Sequence, residues 1–171
     1  MPLSILITRV SAPSQAWFAQ EAADAVSRSP AVRAEPNESG LILRGMTELE
    51  LEMVCHELKK KYPDLRLGNP TVEYVEAEKL LEPYYLATVD TPEDFMGNVV
   101  GDLSSRRGLI VEMNDLAGEK EIKAELPVAE CFGYSTTLKH LTNGKGRYKL
   151  KFIGYRPAPG YPSGGNPRNV A

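Results

Sequence analysis

Hydrophobic residues recur along this chain with two periods. Segments in which they alternate with polar residues predict strands, and segments in which they recur about every 3.6 residues predict helices. In the first half the alternating run Leu3–Ile7 predicts a strand, and an apolar stripe that begins after Ser14 predicts a helix. Thr47 is placed to cap a second helix. The predicted elements of this half are strands at 3–7, 32–35, 41–44, 65–67 and 72–75 and helices at 14–28 and 47–61.

The second half repeats the same order of elements. The segment Thr91-Pro92-Glu93-Asp94 predicts a helix start, because Thr is a good cap, Pro suits the first helical position and acids stabilise the first turn. A second helix is predicted over 128–142 and ends at Asn143-Gly144. Each half is therefore predicted to be a β-α-β-β-α-β unit, and the protein an α+β protein of two consecutive ferredoxin-like domains. The predicted strands of this half are 84–89, 109–113, 121–126 and 148–155.

The predicted domains are residues 1–78 and 79–156, followed by a Pro- and Gly-rich tail at 157–171. Cys55 and Cys131 lie in apolar-periodic segments and are predicted to be buried, reduced thiols of a cytosolic protein. No apolar run approaches the roughly 20 residues that span a bilayer, so we expect no membrane-spanning segment. Nothing at the N-terminus indicates secretion, and we expect a cytoplasmic location.

The charges of the chain are distributed unevenly. The formal net charge is −3, yet no Asp or Glu follows Glu130. A block of one sign is often a solvated face, but it is also typical of a surface that binds a polyanion. The cations of this acid-free segment are Lys139, Lys145, Arg147, Lys149, Lys151, Arg156 and Arg168, with His140 beside them.

The sequence contains no recognisable catalytic or metal-binding group. No G-x-x-x-x-G-K-[ST] segment is present, so the chain has no P-loop for a nucleotide triphosphate. His56 and His140 lack further ligands at metal-binding spacing, and no Ser or Cys lies in a nucleophile elbow. We therefore expect no enzymatic activity, no catalytic residues, no cofactor and no metal site.

Two parts of the sequence resemble domains of a known family. The segment Thr91–Gly108 resembles the start of domain V of elongation factor G, and Gly45–Glu52 resembles the signature of its domain III, with Leu67–Tyr74 as the exit of that domain. The tetracycline ribosomal-protection proteins share this architecture and match nearly as well. Further segments similar to domain V are Leu81-Glu82-Pro83, Glu125-Leu126-Pro127, Cys131-Phe132-Gly133-Tyr134-Ser135-Thr136 and Thr142-Asn143-Gly144-Lys145-Gly146.

This resemblance implies a ribosome-facing C-terminal module, a fragment or a stand-alone relative, that lacks the GTPase domain and domain IV of the family. In the family, domain IV lies where Glu78 here runs almost directly into Leu80. Thr47 and Glu50 replace a glycine and a histidine of the domain III signature. The implied function is non-catalytic ribosome binding in protein biosynthesis. Its implied partners are ribosomal RNA near the stalk base and a GTPase domain in the same or another chain.

A second interpretation is a tandem ferredoxin-like regulatory module that binds a small ligand between its halves, because a fold does not fix a function. The family segments and the acid-free C-terminal block favour ribosome binding. Co-sedimentation with ribosomes, as opposed to a ligand-dependent thermal shift, distinguishes the two.

The bases of the second half suggest a contact surface for RNA. In a βαββαβ unit we expect the first and third strands to be parallel, so that both crossover helices point the same way and their C-termini meet at one edge. The basic loops that end the two predicted helices, 105–108 and 139–147, should then meet, and glycines 108, 144 and 146 would let RNA approach the backbone. The predicted RNA-binding residues are Arg106, Arg107, Lys139, His140, Lys145 and Arg147.

The missing P-loop gives the first prediction. The purified chain should neither bind nor hydrolyse GTP, because it lacks the glycine-rich loop and the lysine that hold the β- and γ-phosphates. Equilibrium dialysis against a fluorescent GTP analogue checks this, and tight binding of the analogue would contradict it.

Overall fold

The computed structural model describes residues 1–27, 29–77 and 79–159. The chain forms two compact units, one of residues 1–73 and one that begins at Tyr74. The division falls after Glu73 because Val75–Glu76 pair with a strand of the second unit. From position 160 onwards, the predicted tail lies outside the described residues. Within those residues, no helix is both long enough and apolar enough to cross a membrane.

The first unit is a β-sheet with two helices packed on it. The strand order is β2-β3-β1-β4, β5 also pairs with β1, and neighbouring strands are antiparallel. This is the order of a split βαβ unit. The elements are β1 (Leu3–Arg9), α1 (Gln15–Val26), β2 (Val32–Asn37), β3 (Gly40–Gly45), α2 (Glu48–Lys61), β4 (Leu65–Leu67) and β5 (Thr71–Val72).

Both helices of the first unit begin at the predicted caps. The Ser14 side chain accepts a hydrogen bond from the backbone N–H of Trp17, and the Thr47 side chain accepts one from Glu50. The Glu50 carboxylate in turn accepts from the backbone N–H groups of Met46 and Thr47, at 2.9 and 3.0 Å. Together these bonds form a capping box, so Thr47 and Glu50, which differ from the domain III signature that this segment resembles, serve to start α2.

The second unit repeats the architecture of the first. Its strand order is β10-β7-β9-β8, with β6 also paired to β7, and its neighbouring strands are antiparallel. The predicted α+β fold of two ferredoxin-like domains is therefore confirmed. The elements are β6 (Val75–Glu76), β7 (Leu80–Pro92), α3 (Met96–Ser105), β8 (Leu109–Leu116), β9 (Glu119–Pro127), α4 (Tyr134–Leu141) and β10 (Arg147–Pro157).

Two helix starts of the second unit differ from the predictions. Thr91 does not cap a helix: β7 continues through Pro92, and a 3-10 turn at Glu93–Phe95 leads into α3. The helix predicted from residue 128 begins only at Tyr134. A left-handed Gly133, with φ of 67°, separates it from the 3-10 turn at Val128–Glu130.

Alternation along the central strands places one face of each sheet in a core. In β7 the side chains of Tyr85, Ala87 and Val89 are buried beneath the helices, while Leu86 and Thr88 lie on the opposite face, called the open face below. Both cysteines are buried, as predicted, and neither forms a disulfide. Burial raises the pKa of the Cys55 thiol from 9.0 to about 11.

The raised pKa of Cys55 makes stability depend on pH. The thiol ionises near pH 9 in the unfolded chain and near pH 11 in the folded one, so its contribution is fully present below pH 9 and is lost as the pH rises. The free energy of unfolding should fall by about 2–3 kcal/mol across this window from this group. Urea denaturation under reducing conditions should show a steeper fall in the wild type than in Cys55→Ala, where the buried Tyr134, whose pKa is also raised, still contributes a fall. Equal pH profiles for the two proteins would contradict it.

Candidate RNA-binding surface

The antiparallel sheet decides where the two helices of the second unit end. The chain passes from β7 through α3 to β8, and from β9 through α4 to β10. The strands that precede the two helices, β7 and β9, run in opposite directions. Helices α3 and α4 must therefore also run in opposite directions. The expectation that the first and third strands are parallel is wrong, and so is its consequence that the basic loops after the two helices meet.

The two basic loops lie at opposite ends of β7. Arg107, after α3, reaches Glu82 near the start of β7, whereas Arg147, after α4, is paired in register with Asp90 near its end. About 26 Å of extended strand separates Glu82 from Asp90. The six residues predicted to bind RNA therefore form two groups and not one surface.

Arg106 is held by contacts within its own domain. Its Nε donates to the Asp102 carboxylate at 2.9 Å, its Nη1 to the Glu130 carbonyl oxygen at 2.7 Å and its Nη2 to the Thr137 hydroxyl at 3.0 Å. The guanidinium also lies over the Tyr134 ring, 5.2 Å from its centroid. This side chain ties α3 to α4 and to the turn between β9 and α4.

Arg107 occupies a backbone position that usually takes glycine. Its φ is 60°, its N–H donates to the Ser104 carbonyl, and the N–H of Gly108 donates to the Leu103 carbonyl, so α3 ends in a Schellman motif. The next residue must be small, because a Cβ on Gly108 would lie 2.4 Å from the Leu103 carbonyl oxygen. Gly108 thus serves the end of the helix.

The Arg107 side chain neutralises a buried carboxylate. Its Nη1 and Nη2 donate to the two oxygens of Glu82 at 2.9 and 3.0 Å, and its Nε donates to Glu130 at 3.2 Å. Glu82 is only 2% exposed, and Tyr84 donates a further hydrogen bond to it. The hydrogen bonds to Glu82 raise the pKa of Arg107 above its usual range. The loop after α3 is therefore a structural ion-pair site.

The loop after α4 has a different character. Of its predicted residues, Lys139, His140, Lys145 and Arg147 are all exposed. Only Arg147 has an ion-pair partner among the described residues: Glu119, at 2.7 Å, and Asp90, at 3.9 Å. Because the Arg147 side chain is 67% exposed, these surface pairs hold it weakly.

Two further lysines extend this group along β10. Lys149 and Lys151 are paired in register with Thr88 and Leu86, which puts both lysines on the open face of the sheet. Both are exposed, and neither has an ion-pair partner among the residues that the structure describes. Their alternation in an acid-free strand was visible in the sequence, but their grouping with the loop after α4 depends on the strand register. We call Lys139, His140, Lys145, Arg147, Lys149 and Lys151 the α4–β10 basic surface. Its members surround the end of α4 and the start of β10, with Lys139 and His140 on the helix side of the sheet and Lys149 and Lys151 on the open face.

Gly146 has an internal role at this end of the domain. Its N–H donates to the Thr142 hydroxyl at 2.8 Å, and an added Cβ would lie 2.8 Å from the same oxygen. Thr142 is fully buried and also donates to the Leu138 carbonyl. The glycine lets the chain turn tightly over the end of α4, which leaves Lys145 and Arg147 facing outward.

The ion pair at the end of α3 gives a prediction on stability. Arg107→Ala should lower the free energy of unfolding by about 2–4 kcal/mol, because it leaves the Glu82 carboxylate buried without its cation. Removing one partner of a fully buried ion pair costs about 3–5 kcal/mol. The loss expected here is smaller, because the Arg107 side chain is 39% exposed. Urea denaturation should show partial recovery in Arg107→Ala/Glu82→Gln. The control Lys145→Ala should change stability by less than about 0.5 kcal/mol. A similarly small effect of Arg107→Ala would refute the structural role.

The fold and sequence match known proteins. A crystal structure of a protein from Thermus thermophilus superposes with a TM-score of 0.61 over 92% of this chain, at 17% sequence identity. At that identity the likeness shows the fold alone, and the chain spans 41% of that protein's length. Residues 79–164 match the family described as elongation factor G C-terminus. Because this match covers half of the chain, the protein belongs to the elongation factor G C-terminus family.

Proposed function

We propose that this chain is a non-catalytic ribosome-binding module of an elongation factor G-like translation factor, and that its α4–β10 basic surface contacts phosphates of ribosomal RNA. The observation that carries this proposal is a set of exposed cations, most of them without a carboxylate partner among the described residues, in a domain of this family. Such cations are available for an external polyanion, because no internal ion pair has to be broken first.

The position of the lysines favours an external partner over a purely local role. Lys139 and His140 lie in the last turn of α4, where a cation also stabilises the helix dipole. Lys145, Lys149 and Lys151 lie beyond the helix, where they cannot serve that dipole. Three exposed cations with no ion pair in the described part of the chain are more simply explained by a partner with negative charge.

The type of contact follows from the side chains. Five of the six members are Lys or Arg, which bind phosphate by charge and release counterions from the nucleic acid. Between Lys139 and Lys151 the only aromatic side chains are His140 and Tyr148, and the Tyr148 ring packs against Tyr134. The surface therefore suits the sugar-phosphate backbone of folded RNA better than stacking on unpaired bases.

The finer features of this function rest on the family resemblance. We propose that the RNA lies near the stalk base of the ribosome, that a GTPase domain in the same or another chain is a second partner, and that the protein acts in the cytoplasm. In this role the chain supplies binding and positioning, and any GTP hydrolysis takes place elsewhere.

Ribosome binding should weaken when the surface loses charge. Lys145→Ala/Lys149→Ala should lower affinity for purified bacterial ribosomes and reduce the slope of log K against log salt by about one unit per lost phosphate contact. Co-sedimentation at several salt concentrations measures both quantities. Both side chains are exposed, so the fold should be unaffected.

The matched control removes two exposed lysines from the first unit. Lys59→Ala/Lys60→Ala changes the net charge equally, and both residues lie in the last turn of α2. This variant should bind with nearly the wild-type affinity and salt slope. Equal affinities and slopes for the two double variants would show that the α4–β10 basic surface is not the contact.

A further inference from the structure

The two outer strands of the second sheet protect their free edges differently. β10 carries Arg147, Lys149 and Lys151, and charged side chains of this kind normally prevent an edge from pairing with another chain. β8, at the other edge, contains no Lys, Arg or Pro. Its side chains include four large exposed hydrophobics: Leu109, Val111, Met113 and Leu116, which are 46–61% exposed.

The outer side of β8 is available for hydrogen bonding to a further strand. Among the described residues β8 pairs only with β9, and it ends the strand order of the sheet. A bulge between Ile110 and Glu112 interrupts the register, but from Glu112 to Leu116 the pairing with β9 is regular. A regular edge of five residues is long enough for a short strand to add to it.

The charges around β8 define what kind of strand fits. Lys123 of β9 is shared between Glu112 and Glu121, and Lys120 between Asp115 and Glu93. Four carboxylates thus surround two ammonium groups. The lysine side chains are 21% and 28% exposed, whereas those of Asp115 and Glu112 are 82% and 48% exposed. The outward-facing charge at this edge is therefore negative.

We propose that the outer edge of β8 is a strand-addition site for an extended segment of another protein, one with apolar side chains on one face, Lys or Arg on the other and no acidic residues. The main chain of that segment would pair with β8, as in β-augmentation. On the open face its bases would meet Glu112, with Glu121 one strand further in on β9. On the opposite face its apolar side chains would cover Met113, beside the exposed Asp115. A second molecule of this protein would fit the edge less well, because pairing of two β8 strands would bring their carboxylates together.

The test uses the full chain and a labelled heptapeptide of alternating Lys and Val. Fluorescence anisotropy should show binding, and amide hydrogen exchange should slow at least tenfold within residues 109–116. The same peptide N-methylated at alternate residues keeps its charge but loses the backbone N–H groups that would pair with β8. It should bind at least tenfold more weakly than the unmethylated peptide. A peptide with Glu in place of Lys should also bind at least tenfold more weakly than the Lys–Val peptide.

Matched variants locate the site. Met113→Lys places a cation on the β8 edge and should weaken binding of the Lys–Val peptide at least tenfold. Ile153→Lys makes the same change on β10, at the opposite edge, and should alter the affinity less than twofold. Circular dichroism should show both variants folded, because Met113 and Ile153 are both exposed.

Three results would overturn the proposal. One is equal binding of the N-methylated peptide, which would mean attraction by charge alone. Another is protection of amides outside β8. The third is a dimer of the free chain, seen by sedimentation, that Met113→Lys dissociates, since a second copy would then occupy the edge. None of these results bears on ribosome binding through the α4–β10 basic surface.

Discussion

The antiparallel pairing of β7 with both of its neighbours is the constraint on which the rest of the second unit depends. Because β9 and β10 both run against β7, the crossover through α3 must return in one direction and the crossover through α4 in the other. Each end of the sheet therefore receives the C-terminus of one helix. Two basic loops of similar composition end up in separate environments, one at the start of β7 and one at its end.

At the start of β7, the environment converts a basic loop into part of the fold. The buried carboxylate of Glu82 requires a cation, and Arg107 reaches it from a left-handed backbone position at the end of α3. Arg106 links the same loop to α4. At the other end of β7 no buried acid in the described part of the chain requires the lysines, and they remain exposed to solvent. Burial of the Glu82 carboxylate thus gives Arg107 a structural role that the lysines at the other end of β7 do not have.

The regular parts of the fold could be predicted because they follow from local patterns, such as Thr47 with Glu50, which marked the start of α2. Apart from the late start of α4 after the left-handed Gly133, the errors lie where residues distant in the sequence determine the local structure. β7 continues through Thr91 because β9 pairs with it along this stretch. In the candidate site, the direction of α4 and the register of β10 determine which cations group together. Nothing local indicated that Glu82 would be buried, since the partner that makes its burial possible, Arg107, is 25 positions away.

The opposite charge of the two sheet edges gives the second unit an electric dipole across its strands. Neighbouring strands are about 4.8 Å apart, so the outer strands β8 and β10 are separated by about 14 Å. The Debye length is about 8 Å at physiological ionic strength, which is shorter than this separation. At that salt concentration each edge presents its own local field. At low salt the whole dipole would turn the domain toward a polyanion with β10 in front and β8 pointing away. An anionic partner would then arrive in one orientation and leave the far edge unobstructed.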